Sequence, residues 1–369
     1  MGIPEKIKAI QDEMAKTQIN KATEKHLGLL KAKIAKLKRE QEDDVTKKSG
    51  MKQDGFDVRR SGDATVVFIG LPSVGKSTLL NKMTGANSTI GAFQFTTLTV
   101  VPGMMEYRGA KIQVLDLPGI IKGASTGKGL GKRILSVART ADLVLLVLDV
   151  FQPFHEDVLV NELGNIGIRL NQLPPNLTIE KAGMGGIAVA QQVKLTKISV
   201  DHLKSILHLY GIVSARVVVR EDVTSEQLAD HIAGNISYSK ALTILNKIDL
   251  VDKEFLENLK TKIKSDVIEV SANSDINVEL LKEKIYEKLK FIRIYLRPKG
   301  GETDFKDPLI ARESDTVEDI CNKLHRRLKR DFRYGLVWGK SVKFGGQRVG
   351  LNHILLDEDV LTIIKKRGT

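Results

Sequence analysis

ATVVFIGLPSVGKSTLLNKM, residues 64–83, decides the reading of this chain. Ala64 to Ile69 is a β-branched and apolar run of strand character, and Ser77 to Met83 is a helical run. The eight residues Gly70 to Ser77 between them match the pattern GxxxxGKS in its proper setting, strand before and helix after. Glycines there let backbone N–H groups curl around a β-phosphate, and the helix N-terminus adds its positive end. Lys76 is placed to span the β- and γ-phosphates, and the Ser77 hydroxyl to ligate magnesium. Gly70, Ser73, Val74, Gly75 and Thr78 complete the cradle. A nucleoside triphosphate on the edge of an α/β sheet is implied.

Four further apolar stretches alternate with helical ones after this point: Lys111 to Leu115, Leu143 to Leu148, Ala241 to Leu245 and Val267 to Val270. The pattern is that of a doubly wound parallel sheet, whose ligands sit at the strand ends. The second strand leads into Asp116-Leu117-Pro118-Gly119. Asp116 is placed to hold magnesium through water, and the Gly119 amide to bind a γ-phosphate and sense its loss. Alone, Asp, Pro and Gly would be only a turn; behind a phosphate loop they become a site. Asn246-Lys247-Ile248-Asp249 follows the fourth strand. The Asp249 carboxylate can accept two hydrogen bonds from the ring N–H and exocyclic amine of guanine, with the Lys247 stem on the base plane. Adenine lacks that donor pair. Ser271-Ala272-Asn273, after the last strand, offers backbone N–H to the guanine carbonyl.

Two segments read as switches. Ser88 to Thr99 carries Thr97, or its neighbour Thr96, to close on magnesium when a γ-phosphate is present. Gly119, Gly123, Gly127, Gly129 and Gly131 free the backbone of the second. Lys76, Thr97 and Gly119 are thus the candidate catalytic groups, and Ser77, Thr97 and Asp116 the candidate metal ligands.

The rest of the 369 residues is arranged around this core, and the length calls for more than one domain. Residues 1–60 hold apolar stripes at helical spacing (Ile7, Ile10, Met14; Leu27, Leu30, Ile34, Leu37), giving a helical hairpin turned near Thr17 to Thr23 and followed by a linker. A helical pair that merely packs on its neighbour is the plain alternative. Asn246 follows Asp149 by 97 positions, far more than one crossover needs, so residues 61–290 carry an insertion at about 169–238. It reads as ββαβ: two strands around Gly183 to Gly186, a helix over Val200 to Tyr210 and a strand over Ala215 to Arg220. Residues 291–369 open with a strand, Phe291 to Arg297. A helix with Val317, Ile320, Cys321, Leu324 and Leu328 on its apolar stripe follows, Asp315 and Glu318 standing as a capping box. Short strands at Leu336 to Trp338 and Leu361 to Ile364 close a ubiquitin-like β-grasp.

The formal charge of +13 divides as +5, +2 and +6 over residues 1–60, 61–290 and 291–369. A near-neutral core with basic ends suits a polyanionic partner, nucleic acid first; solubility alone would also account for it. The run Arg326, Arg327, Lys329, Arg330, Arg333 is the densest, and as a pattern it is more often a solvated helix face. One cysteine excludes an internal disulfide and a thiolate zinc site. No apolar run is long enough to span a bilayer and no leader pattern opens the chain, so the expected setting is cytoplasmic, without a membrane. The 7 His show no ligand spacing.

The order GLPSVGKS, FTTLT, DLPG, NKID, SAN resembles the translation-factor-related GTPases and, within them, the Obg group. With the helical N-terminus, the insertion before NKID and a β-grasp of the TGS kind, the whole chain is identified as a member of the developmentally regulated GTP-binding proteins. The resemblance implies a GTPase using GTP/GDP and Mg2+, working with ribosomes and their rRNA, and accompanied by a regulatory protein bearing zinc fingers. It also brings in K+, held in Obg relatives by an asparagine of the phosphate loop; Ser73 stands at that place here. Ile120 follows DLPG where Ras-type enzymes keep a water-orienting glutamine, so intrinsic hydrolysis is expected to be slow without an ion or partner. The alternatives are an Obg-like ATPase, which NKID opposes, and an assembly factor that holds nucleotide with little turnover.

Overall fold

The computed structural model describes residues 2–18, 23–49, 61–84, 93–95, 98–117, 137–138, 140–234, 236–263 and 265–366. They fall into two compact units, one of residues 56–166 with 239–369 and one of residues 1–55 with 167–238. The segments inferred from sequence are therefore grouped in pairs: nucleotide core with C-terminal domain, and helical hairpin with insertion.

The larger unit is organised by a seven-stranded sheet in the order Val267–Glu269, Ala241–Asn246, Leu143–Asp149, Ala64–Gly70, Ala110–Asp116, Leu98–Tyr107, Phe93–Phe95. The first five strands are parallel, and the last two run antiparallel to their neighbours. Every residue of Ala64–Gly70 is buried, as a parallel strand covered on both faces requires; hence the unbroken apolar run. Leu79, Leu80 and Met83 of the helix Lys76–Thr84 and Leu281, Ile285 and Leu289 of the helix Val278–Leu289 pack with Val66, Phe68, Val114 and Leu145 of the strands. The long strand Leu98–Tyr107 had no place in the sequence reading, because Pro102 and Gly103 interrupt it and speak against a strand interior.

The C-terminal domain is a five-stranded β-grasp, ordered Leu309–Arg312, Phe291–Leu296, Val360–Lys365, Phe332–Trp338, Gln347–Val349. Its helix Val317–Leu324 buries Val317, Ile320 and Cys321 against Ile294, Val337 and Leu361, so Cys321 is packing. Two expectations are corrected. The capping box is Thr316 with Asp319, not Asp315 with Glu318: Thr316 Oγ1 accepts from the Asp319 amide while the Asp319 carboxylate accepts from the Thr316 amide at 2.9 Å. The helix also does not reach Leu328. It ends at His325, whose extended backbone and Nδ1, accepting from the Arg327 amide at 3.1 Å, start a separate helix Arg326–Asp331; Arg333 then lies on a strand. This domain is not hung on a free linker. Ile310 is buried within the same apolar cluster as Ala110, Tyr286 and Phe291. Gly109, at φ +83°, lets the turn before Ala110 approach Pro308, whose Cγ would stand 2.7 Å from an added Cβ.

The second unit holds the insertion. Its central strand Ala215–Val219 runs antiparallel to Leu177–Lys181 and parallel to Ile187–Gln191, backed by the helix Val200–Leu209. A further helix, Ser225–Ala233, which the ββαβ pattern does not include, opens with a Thr224–Gln227 capping box. The hairpin helices Ile3–Lys16 and Glu24–Ser49 are joined by His26 and Glu13 at 3.0 Å. The second helix lies on the insertion: Ala32, fully buried, shares a core with Leu203, Ile206 and Leu228. The Tyr210 hydroxyl donates to the Ala32 carbonyl (3.1 Å) and Lys36 Nζ to the Leu209 carbonyl (2.8 Å). Placing a carboxylate there by Ala32→Asp is expected to cost about 3 kcal/mol, read as earlier urea unfolding and faster proteolysis within residues 1–55. Unchanged proteolysis would mean that the hairpin is not held by this contact.

Candidate functional site

The register places the ends of the parallel strands on one edge: Gly70 lies opposite Val147, Asn246 opposite Asp149, and Phe68 opposite Asp116. The loops singled out from sequence thus leave the same edge of one sheet, within one unit.

The phosphate loop requires its glycines for space. A Cβ on Gly70 would meet the Val147 carbonyl at 2.6 Å; one on Gly75, at a φ of +92°, would collide with Asn246 Nδ2. Ser73 also takes a left-handed φ of 64°. Inside the loop Lys76 is buried and, among the described residues, donates to main-chain carbonyls, those of Gly70 at 3.2 Å and Leu71 at 2.8 Å. Burial pushes its ammonium below the ordinary lysine range, against the pull of the Asp116 charge. Thr78 follows on the exposed face of the helix.

Ser77 Oγ donates to Asp116 Oδ2 at 2.6 Å. Asp116 is 8% exposed, and its other oxygen, Oδ1, is buried with no hydrogen-bond partner among the described residues. Burial raises this carboxyl above the usual aspartate range, with the Ser77 hydroxyl and Lys76 opposing. An orphaned buried carboxylate oxygen beside a hydroxyl is a pair of hard oxygen donors, and these residues fit Mg2+.

Asn246, 2% exposed, ties the site together. Its Nδ2 donates to the Val74 carbonyl at 2.8 Å and its Oδ1 accepts from the Ala272 amide at 3.1 Å. One side chain therefore links the phosphate loop to the Ser271–Asn273 loop. Lys247, with φ 70°, is fixed by an ion pair from Nζ to Asp149 Oδ2 at 2.6 Å. The Asp249 carboxylate is exposed, and the Ser271 side chain, as the main cause, holds it below the usual range. Ser271 and Ala272 do not bring idle amides: the first donates to the Ile276 carbonyl and the second to Asn246. A base carbonyl must share the Ala272 N–H or take that of Asn273.

Thr96, Thr97, Gly119 and Ile120 lie outside the described residues, as do the glycines from 123 to 131. What sequence reasoning missed was the role of Asn246 as a tie between loops and that of Asp149 as the anchor of Lys247; the apolar strand ends gave no signal of either. Gly75→Ala is expected to displace Asn246 from Val74. Losing one such bond, about 1 kcal/mol, weakens guanine-nucleotide affinity roughly 5- to 10-fold by calorimetry. Equal affinity would show that the loop closes without the tie.

Residues 65–181 match the family described as "50S ribosome-binding GTPase", residues 184–291 the "C-terminal region of MMR_HSR1 domain", and residues 292–365 the "TGS domain". The chain is 54% identical over 370 residues to an uncharacterized GTP-binding protein of Methanocaldococcus jannaschii, covering 100% of this chain and 94% of that one. It is 48% identical to a developmentally-regulated GTP-binding protein 2 homolog of Dictyostelium discoideum, covering 99% of this chain and all of that one. It is also 48% identical to Ribosome-interacting GTPase 1 of Saccharomyces cerevisiae, covering 98% of this chain and 99% of the relative.

Proposed function

From the membership of this chain in the developmentally regulated GTP-binding protein family, shown by full-length relatives at about half identity, we propose that this GTPase works as a switch on ribosomes during translation. Asn246 carries the nucleotide part of the reading: by bonding both Val74 and Ala272 it holds the phosphate loop and the base-side loop as one pocket edge; the ribosomal part is supported by the relative named Ribosome-interacting GTPase 1. In this reading Lys76 and the loop amides grip the phosphates, and Asp249 selects guanine. Ser77 and Asp116 would hold magnesium, with Thr97 or Thr96 as a further ligand when a triphosphate is bound, and the ion would supply charge neutralisation at the phosphates. Gly119 senses the γ-phosphate.

Ile120 has no group to orient water, so hydrolysis is slow until a partner or an ion supplies what is missing. The partner is the ribosome with its rRNA, and a zinc-finger-bearing regulator is the accompanying protein that family resemblance implies. The setting is the cytoplasm; among the described residues no helix is long and apolar enough to cross a membrane. Potassium enters as an ion to be tested, since Ser73 is not the expected asparagine ligand.

Single-turnover hydrolysis of GTP, in potassium or sodium and with or without ribosomes, tests the reading, together with co-sedimentation. Acceleration by ribosomes and sedimentation favoured by a non-hydrolysable GTP analogue are expected. Turnover and sedimentation both indifferent to ribosomes would reject it.

A further inference from the structure

The C-terminal sheet turns one face to its helix. On the other, the register aligns Tyr295, Val360 and Trp338 in one row across three strands and Leu336 with Arg348 in the next. Water-facing sheet surfaces are ordinarily polar; this one carries rings with guanidinium groups over them. Arg297 lies 5.1 Å from the centre of the Trp338 ring and Arg348 lies 4.8 Å from that of Tyr334. Phe305 leans on Tyr295 at 5.0 Å and is 64% exposed.

The charges on this face are unequal in their partners. Arg293 is spent on Asp357 and Glu358. Among the described residues Arg297 meets the Gly301 carbonyl and the indole, whose ring also lies against Gly345 and Gly346; Arg348 meets the Tyr334 ring beside Arg333; and neither Arg297 nor Arg348 meets a carboxylate. The basic helix Arg326–Asp331 compares poorly: Lys329 pairs with Glu318, Arg330 pairs with Asp331, and Phe332 is 8% exposed. The aromatic and basic interleaving sought along the sequence is therefore found across strands.

We propose that this face binds single-stranded RNA, with bases stacked on the ring-backed guanidinium planes and phosphates at their edges. The proposal deepens the ribosome reading and rests on it for the choice of RNA. Charge complementarity supports it, because residues 291–369 carry a formal excess of +6. Ring faces accept any unpaired base, and a guanidinium plane stacks as well as a ring does. A duplex keeps its bases stacked inside and cannot use such a platform.

Trp338 is the sole tryptophan of the chain, so its emission reports this face directly. Full-length protein titrated with a twelve-nucleotide oligouridine is expected to change Trp338 fluorescence, whereas a duplex of equal length should not. In the double variant Arg297→Ala, Arg348→Ala, with its melting temperature checked, affinity should fall roughly 5- to 100-fold. The dependence of log affinity on log salt should become shallower by about 1 to 1.5. Silent emission at saturating oligouridine, equal binding of duplex, or full affinity in the double variant would each overturn the proposal. So would an acidic polyglutamate peptide that alters the emission when RNA does not, which would indicate a protein partner. Ribosome co-sedimentation separates the two levels. If the wild type fails to sediment while oligouridine still reports at Trp338, the ribosome reading falls and this face stands. If the double variant sediments normally with silent emission, the face falls and the reading stands.

Discussion

Lys76→Ala is expected to lower GTP turnover on the order of 100-fold or more, the scale of removing one preorganised charge donor from a phosphoryl-transfer site. The nucleotide-free protein should remain folded. Among the described residues Lys76 forms no ion pair and bonds the Gly70 and Leu71 carbonyls, and burial depresses its ammonium against the pull of Asp116. A cation whose pKa falls on folding is held at a cost, so the alanine variant should match or exceed the wild type in melting temperature without nucleotide. What it should lose is the rise in melting temperature that saturating GTP gives the wild type. A variant that keeps both turnover and that rise would remove Lys76 from the phosphate site. One that unfolds without nucleotide would show that the lysine holds the loop itself.

Asp249→Asn is expected to exchange guanine for xanthine. The carboxylate is exposed and kept ionised by the Ser271 side chain, so at neutral pH it presents two acceptors and no donor. An amide at that position puts a donor against the guanine amine and leaves one polar group unmatched. A mismatch of that kind involving a charged group costs roughly 1 to 3 kcal/mol or more, or about 5- to 100-fold in GTP affinity. Xanthine carries a carbonyl where guanine has its amine, and its triphosphate should regain the lost affinity. Calorimetry with GTP, XTP and ATP measures all three. Unchanged GTP affinity would remove Asp249 from base recognition, and a preference of the wild type for ATP would revive the ATPase alternative.

That the candidate loops leave one sheet was legible because strand ends in a parallel sheet are local events. GLPSVGKS, Asp116, NKID and Ser271-Ala272 each follow an apolar run, and each run is a strand of the one sheet. What escaped is held by partners distant in sequence. Asn246 reads as a member of a tetrad, yet it also bonds Val74, 172 residues away. Lys247 is fixed by Asp149, 98 residues earlier. The hairpin was read as two amphipathic helices, but that Ala32 would enter the core of a module begun some 135 residues later has no local signature. The same holds in part for the C-terminal face: Arg333, next to Tyr334 in sequence, lies 5.8 Å from its ring, but the nearer guanidinium, at 4.8 Å, is that of Arg348 on another strand. Period and propensity report a residue's own element; they are silent on what crosses to meet it.

The burial of Ile310 among Ala110, Tyr286 and Phe291, with Pro308 seated over Gly109, bears on how this architecture could have been assembled. A module exchanged between genes usually arrives with a surface of its own and a spacer. Here the nucleotide domain has left part of its interior to be completed by a side chain encoded after it, so recombination at that boundary would have to deliver a matching wedge. At this contact each half constrains which substitutions the other can accept.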